Sequence, residues 1–434
     1  MWKSRARHDA EGAECLRFPA LRATTDNHQV VHGLFPVDRG ELAVRPSASW
    51  NGGTHLGLPL LSHRLRASPW SRARAEREET ATFSLDFNQE AAMIVRARAP
   101  LRLGLAGGGT DLSPYCDLHG GYVLNATIDR YGYAVIKTLA EPVVRFAAAD
   151  QQEQVIKPLG QPLEIDGTLD LHKAVYNEMI QRYNGGTPIS LELTTFCDAP
   201  AGSGLGSSST LVVVMIVAFA ELLNLPLDDY TIARLAFKIE RIDCRMPGGR
   251  QDQYAATFGG FNFMEFYADE RAVINPLRIK NWIICELEAS LLLFYTGVAR
   301  QSAKIIEDQT ANVRTGSADA LHAMHDLKRE ALVMKECLLK GDLEGIVGSM
   351  RLGWESKKKT AKAVASAQID EAYEAAVGAG AVAGKASGAG GGGFMMFYVP
   401  PDRRMDVVRR LSQLAGQVSN CHFTKQGAQA WRVG

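Results

Sequence analysis

Two carboxylates and a run of hydroxyls, each delivered by glycine-rich backbone, are the groups in this chain best suited to chemistry. Gly202, Gly204 and Gly206, separated only by Ser203 and Leu205, lead into Ser207, Ser208, Ser209 and Thr210 and then into the apolar run 211–223. Glycine carries no Cβ, so such a loop turns tightly and approaches a ligand closely. Serine favours the start of a helix, and a helix start offers free N–H groups and a positive dipole end that bind phosphate. The loop with its leading Ala199, Pro200 and Ala201 therefore reads as a phosphate cradle. The alternative is a serine-rich loop ahead of a core helix.

Asp252 follows Gly248, Gly249, Arg250 and Gln251. A carboxylate on a glycine-led turn can take a proton from an attacking hydroxyl, or orient that hydroxyl. It can equally cap a helix. Glu240 stands twelve residues earlier. It is a hard oxygen donor of the kind that holds magnesium together with substrate phosphates, or else a surface partner of Lys238 or Arg241. Near the front, Arg102 precedes Gly107-Gly108-Gly109-Thr110-Asp111. A carboxylate beside flexible backbone suits the hydroxyls of a polyol, and the permanent cation suits a phosphate or a carboxylate. A turn-capping Asp is the alternative. Finally, Gly388, Gly390 and Gly393 satisfy G-x-G-x-x-G, but the motif enters the apolar run Phe394–Val399 rather than leaving a strand, which argues against dinucleotide binding. Close approach of a ligand or of other backbone explains so glycine-rich a loop.

The elements that position these groups belong to an ordinary globular chain. It has 434 residues, 46% hydrophobic and 22% charged, with zero formal net charge. Nothing in that balance draws it to nucleic acid or to an anionic membrane. The seven cysteines are scattered, which fits a reducing cytoplasm and no zinc or disulfide framework. No apolar run reaches the roughly 20 residues that span a bilayer. Residues 1–92 lack periodicity and read as disordered, with Met93 the expected native start.

Beyond Met93 the pattern predicts strands over 94–99, 122–128, 131–138, 143–148, 189–195, 260–266, 283–295 and 394–399. The middle pair, 122–128 and 131–138, is expected to pair with each other. Helices are predicted over 170–183, 211–223, 228–242 and 402–414 and through most of 300–377, with a strand at the C-terminus. Strands and helices mix without regular alternation, so the fold class is α+β.

Taken together, the stretches Arg102–Asp111, Pro200–Ser209 and Lys385–Gly393 resemble, in order and spacing, the three motifs of the GHMP kinase superfamily. The resemblance covers 93–434. Within it, Ala106–Asp111, Gly120–Asp129, Pro247–Ala256, Tyr295-Thr296-Gly297 and Trp354 with Lys357–Lys359 are similar to D-glycero-D-manno-heptose 7-phosphate kinases.

The resemblance implies a two-lobed fold: a ribosomal protein S5 domain 2-like, ATP-binding lobe over 93–280 and a ferredoxin-like lobe over 281–434. It implies transfer of phosphate from ATP, with Mg2+, to the anomeric hydroxyl of a sugar phosphate in the cytoplasm, by a monomer or homodimer without nucleic-acid or membrane partners. The product would be heptose 1,7-bisphosphate, for nucleotide-activated heptose and surface polysaccharide.

Pro200, Gly202, Gly204, Leu205, Gly206, Ser207, Ser208, Ser209, Gly388, Gly390 and Gly391 would hold ATP, and Ser208 and Glu240 the metal. Asp252 would be the catalytic aspartate with Arg102 beside it. Gly109, Thr110, Asp111, Asn125, Thr127 and Asp129 would surround the sugar. Arg300 would meet its phosphate, with Lys304, Arg250 and Lys357 as further candidates. A fucose- or galactose-type sugar-1-kinase and a non-catalytic sugar sensor are the alternatives.

Overall fold

The computed structural model describes residues 92–160, 162–297 and 302–433. The expectations for 1–91, and the role given to Arg300, lie outside the described residues.

The chain is α+β, as expected. Its first strand, β1 (Ile94–Ala106), runs through Arg102 instead of stopping at Ala99. After a short helix α1 (Tyr115–His119), β2 (Gly121–Thr138) is one strand of 18 residues. Its two halves, expected to pair with each other, both pair with β1. Neither glycine nor proline interrupts Asp129-Arg130-Tyr131, and the chain stays extended. Opposite Leu101, residues 128–130 form a bulge in β2, because Pro100 pairs with Tyr131 and Arg102 with Thr127.

The large sheet continues through β3 (Val143–Ala148), β4 (Glu153–Pro158), β5 (Leu191–Cys197), β6 (Phe261–Phe266) and β7 (Ala272–Pro276). Its order is β12-β1-β2-β5-β3-β4, where β12 is the returning C-terminal strand (Gln429–Val433). β6 joins the other half of β2 and carries β7. Pairing is antiparallel except between β3 and β5.

Helix α2 (Asp170–Tyr183) matches its expected bounds and packs against α3 (Ser207–Leu222). α3 is apolar all round, and Val212–Ile216, Ala218 and Phe219 are fully buried. Each such aliphatic side chain contributes about 1.5–3 kcal/mol. Burial of its body, not a side-chain cap, therefore fixes α3, which leaves its first N–H groups available.

The helix expected over 228–242 splits. Asp228 caps α4 (Asp229–Phe237) by accepting from Thr231 N at 3.0 Å, and Lys238–Asp243 then widens into a π-helical turn. The double glycine leads into a short helix not foreseen in the sequence, α5 (Gln251–Phe258).

The expected strand 283–295 is mostly a helix, α6 (Asn281–Ser290), because Ile283 and Leu287 fall one turn apart on its buried face. Only β8 (Leu291–Tyr295) remains extended. β8 belongs to a second antiparallel sheet, ordered β11-β8-β10-β9, with β9 (Ala383–Ala386), β10 (Phe394–Tyr398) and β11 (Gln417–Asn420). Helices α7 (Ser302–Arg314), α8 (Ala318–Lys340), α9 (Leu343–Thr360), α10 (Ala367–Ala379) and α11 (Arg404–Leu411) complete this half. Among the described residues, no helix is long and apolar enough to cross a membrane.

Candidate active site

A cleft of about 770 Å³ lies where these elements meet. An apolar part of its lining is Leu171, Cys197, Ala199 and Leu211, and Asp150 and Gln151 also line it. The loop Ala201, Gly202, Gly204 and Gly206 with Ser207 and Ser208 lines it too, as do Gly388 and Ala389. Arg102, Asp252 and Arg241 line it together with Ala303, Lys304, Glu307 and Asp308 of α7.

Arg102 ties the centre together. Its Nε and Nη2 each lie 2.6 Å from Asp252 Oδ1. Its Nη1 donates to Gly204 O at 2.7 Å and to Ser387 Oγ at 3.4 Å. One side chain, 5% exposed, thereby joins β1, the first turn of α5 and both later glycine loops. Glycine is needed where those loops touch. Gly204 has φ +81°, and a Cβ there would lie 2.5 Å from Ser387 O; one on Gly388 would lie 2.9 Å from Gly204 O.

The hydroxyl run divides. Ser208 Oγ donates to Glu240 Oε1 at 2.7 Å from the cleft side, and Ser209 Oγ, buried, donates to Oε2 at 2.6 Å. Gln253 Nε2 reaches the same oxygen at 2.7 Å and Arg241 Nη1 stands 3.1 Å from Oε1, so the fully buried carboxylate is held by four groups. Gly206, at the start of α3, offers no side-chain cap. Among the described residues, no group of three or more His, Cys, Asp and Glu side chains is placed to hold a metal.

Several expected site residues sit elsewhere. Asp111 is 1% exposed, and its oxygens accept from Gly109 N, Arg250 N, Gln251 N and Gln251 Nε2 at 2.9–3.1 Å. Four donors occupy a carboxylate's acceptor positions. Asp111 therefore pins the start of α5, and through it Asp252, and it also lines a side cavity with Ser113, Arg250 and Arg314. Thr110 Oγ1 binds Gly107 O, Tyr122 O and Tyr122 N, all backbone.

Asn125 and Thr127 are buried in β2, bonded to Met264 Sδ and to Thr424 O and Gly260 N. The bulge turns Asp129 out to solvent. None of these three lines the cleft. Leu205 packs in the core, Pro200 is exposed outside the cleft, and Gly390 and Gly391 pack against Val364.

Of the further cation candidates, Lys304 lines the cleft. Arg250 is committed to Asp117 Oδ1 at 3.1 Å and Tyr267 O at 2.8 Å. Lys357 lies buried beneath Gly109 and donates to Gly108 O at 2.8 Å.

The sequence reading missed Ser387, Lys385, the apolar part of the cleft lining, and Arg241. Only Arg241 left a usable signal, an arginine adjacent to the metal-type glutamate.

Lys385 donates to Gly104 O and Leu105 O at 2.9 and 2.8 Å. Neither Lys357 nor Lys385 has a carboxylate at ion-pair distance among the described residues. Burial pulls Lys357 down to about 8, opposed by Asp111 and reinforced by Arg102. Burial, then Lys357 and Arg102, pull Lys385 down to about 7. In the unfolded chain both titrate near 10.5. Between these values the unfolded chain holds the extra protons, so these groups add stability as pH rises. The thermal midpoint is expected to climb from about pH 7 to 9, and Lys385→Met to flatten the slope. Equal slopes in both proteins would refute this account.

The chain was compared with known proteins. The description "GHMP kinases N terminal domain" matches residues 170–260, and "GHMP kinases C terminal" matches 334–415. The chain is 45% identical over 339 residues to D-glycero-alpha-D-manno-heptose 7-phosphate kinase of Campylobacter jejuni, covering 78% of this chain and 99% of that one. A crystal structure named as a D-glycero-D-manno-heptose 1-phosphate kinase, from Bacteroides thetaiotaomicron, superposes at a TM-score of 0.67 with 45% identity, over 78% of this chain and 99% of that one. A putative sugar kinase from Campylobacter jejuni does so at 0.67 and 44%, over 80% and 100%. The three glycine loops, the Arg102–Asp252 pair and these likenesses lead to one conclusion: the chain belongs to the GHMP kinase family and is an ATP-dependent kinase.

Proposed function

We propose that this kinase phosphorylates the anomeric hydroxyl of D-glycero-D-manno-heptose 7-phosphate, giving heptose 1,7-bisphosphate for nucleotide-activated heptose and surface polysaccharide. The observation that carries the chemistry is the convergence of Asp252, Arg102 and the uncapped start of α3 in one cleft. The relative of that name, 45% identical along nearly its whole length, supports the substrate.

In this reading the base of ATP lies on the apolar part of the lining, against Leu171, Cys197 and Leu211, and its phosphates lie on the N–H groups that open α3. Ser208 and Glu240 would hold magnesium: Ser208 Oγ and Glu240 Oε1 are hard oxygens 2.7 Å apart, magnesium with a nucleotide needs only one or two protein ligands, and a bound ion would take the place of the Ser208 and Arg241 contacts on Oε1. When bound, that ion neutralises charge on the transferred phosphate. Asp252 accepts the hydrogen bond of the sugar hydroxyl and turns its oxygen toward the phosphorus. Arg102 keeps Asp252 aimed.

A side cavity of about 380 Å³ shares Pro247, Ile306 and Glu307 with the cleft and carries Arg314. Lys304 lines the cleft with Arg102 and Arg241, and Arg250 and Arg314 line this cavity, so these cations face the space a sugar phosphate would fill.

The test is ADP release with heptose, heptose 7-phosphate, heptose 1-phosphate, L-fucose and galactose. Heptose 7-phosphate is expected to give a kcat/KM at least about 100-fold above heptose, in line with the loss when charged groups go unpaired. Equal use of heptose and its 7-phosphate, or preference for another sugar, would reject this substrate.

A further inference from the structure

Arg241 lines the cleft but belongs to none of the three glycine motifs. It lies on the π-helical turn Lys238–Asp243, a type of irregularity that recurs at functional sites. The turn sends Glu240 inward to the serines, while Arg241, 11% exposed, lies along the chain that leads to Asp252. Its Nε donates to Gly249 O at 3.3 Å, its Nη1 to Pro247 O at 3.4 Å and its Nη2 to Ser209 Oγ at 3.2 Å. Nη1 also stands 3.1 Å from Glu240 Oε1.

The backbone is shaped for this guanidinium. A Cβ on Gly248 would lie 2.2 Å from Arg241 Cζ, and one on Gly249 would lie 2.0 Å from Asp111 Oδ2. The double glycine thus admits Arg241 and Asp111 at adjacent positions. Its bonds to Pro247, Gly249 and Ser209, at 3.2–3.4 Å, are longer than the 2.6–2.7 Å bonds that Ser208, Ser209 and Gln253 make to Glu240. A planar, permanently charged fork matches two phosphate oxygens better than it matches backbone carbonyls.

We propose that Arg241 is a second cation of the donor site: it contacts the phosphate chain of the nucleotide, and in the absence of metal it holds the Glu240 carboxylate in position. The inference rests on the reading of this cleft as the ATP site. It assigns Arg241 two partners of opposite kind, a carboxylate and a polyphosphate, between which a bound metal shifts it.

The experiment measures binding of ATP and of adenosine to the full chain, each in EDTA and in magnesium chloride, for wild type, Arg241→Gln and Arg241→Lys. Arg241→Gln is expected to weaken ATP at least tenfold in EDTA and about threefold with magnesium, because the metal then supplies part of the charge. Adenosine, which has no phosphate, is expected to stay within about twofold, and Arg241→Lys to recover part of the metal-free ATP affinity. Unchanged ATP affinity in Arg241→Gln overturns the proposal. So does equal loss of ATP and adenosine, which would show that Arg241 only props the backbone. A wild-type protein that binds neither compound removes the nucleotide reading of the cleft, and this inference with it.

Discussion

Asp252→Asn is expected to lower kcat about 10³-fold while ATP binding stays within a few-fold. The amide keeps the shape of the side chain and can still accept from Arg102. It loses the negative charge that draws the acceptor hydroxyl into line, and general-base help of this kind is worth about 10²–10⁴-fold. The N–H groups proposed to bind phosphate belong to α3, whose position is set by its own buried body rather than by Asp252. Binding and turnover should therefore separate. Near-normal kcat would take Asp252 out of the reaction. Parallel loss of ATP binding would mean that it works by holding the fold.

Arg102→Gln is expected to reduce activity at least about 10²-fold and to destabilise the protein by about 3 kcal/mol, the lower range for breaking a buried pair. Asp252→Asn leaves the Arg102 bonds to Gly204 O and Ser387 Oγ in place. Arg102→Gln removes them all and leaves Asp252, 19% exposed, without its counter-charge. The urea midpoint should therefore fall more for Arg102→Gln than for Asp252→Asn. The double variant should lose less than the sum of the singles, because both act on one contact. An Arg102→Gln protein with the wild-type midpoint would show that the arginine is not a structural bridge.

The groups legible in the sequence were those whose chemistry is local. A glycine-rich loop running into serines and an apolar run is a helix start wherever it sits, and Ser208 lies in the cleft as that pattern required. An aspartate on a double glycine is exposed to a site by its own turn, and Asp252 is in the cleft. Glu240, with a bland surface alternative, was resolved only by its partners: Ser208 and Ser209 stand more than thirty residues away, and the side chain is wholly buried.

Asp111, Asn125, Thr127 and Asp129 show the limit from the other side. Their residue types suit a sugar, yet Asp111, which lines the side cavity, already accepts from four N–H groups, Asn125 and Thr127 are buried in a strand, and Asp129 is turned outward by a bulge.

By itself, then, the sequence determined the family, the α+β class, the helix whose start opens on the cleft and the aspartate that faces it. These follow from short-range backbone freedom, helix polarity and motif order. Tertiary structure alone decided which polar groups are free for a ligand and which are committed to the protein. It also placed Arg102 against loops about 100 and 285 residues away and brought Arg241 into the cleft. The physical reason is that a hydrogen-bonding group has few positions to fill, and whether they are filled depends on partners that sequence distance does not reveal.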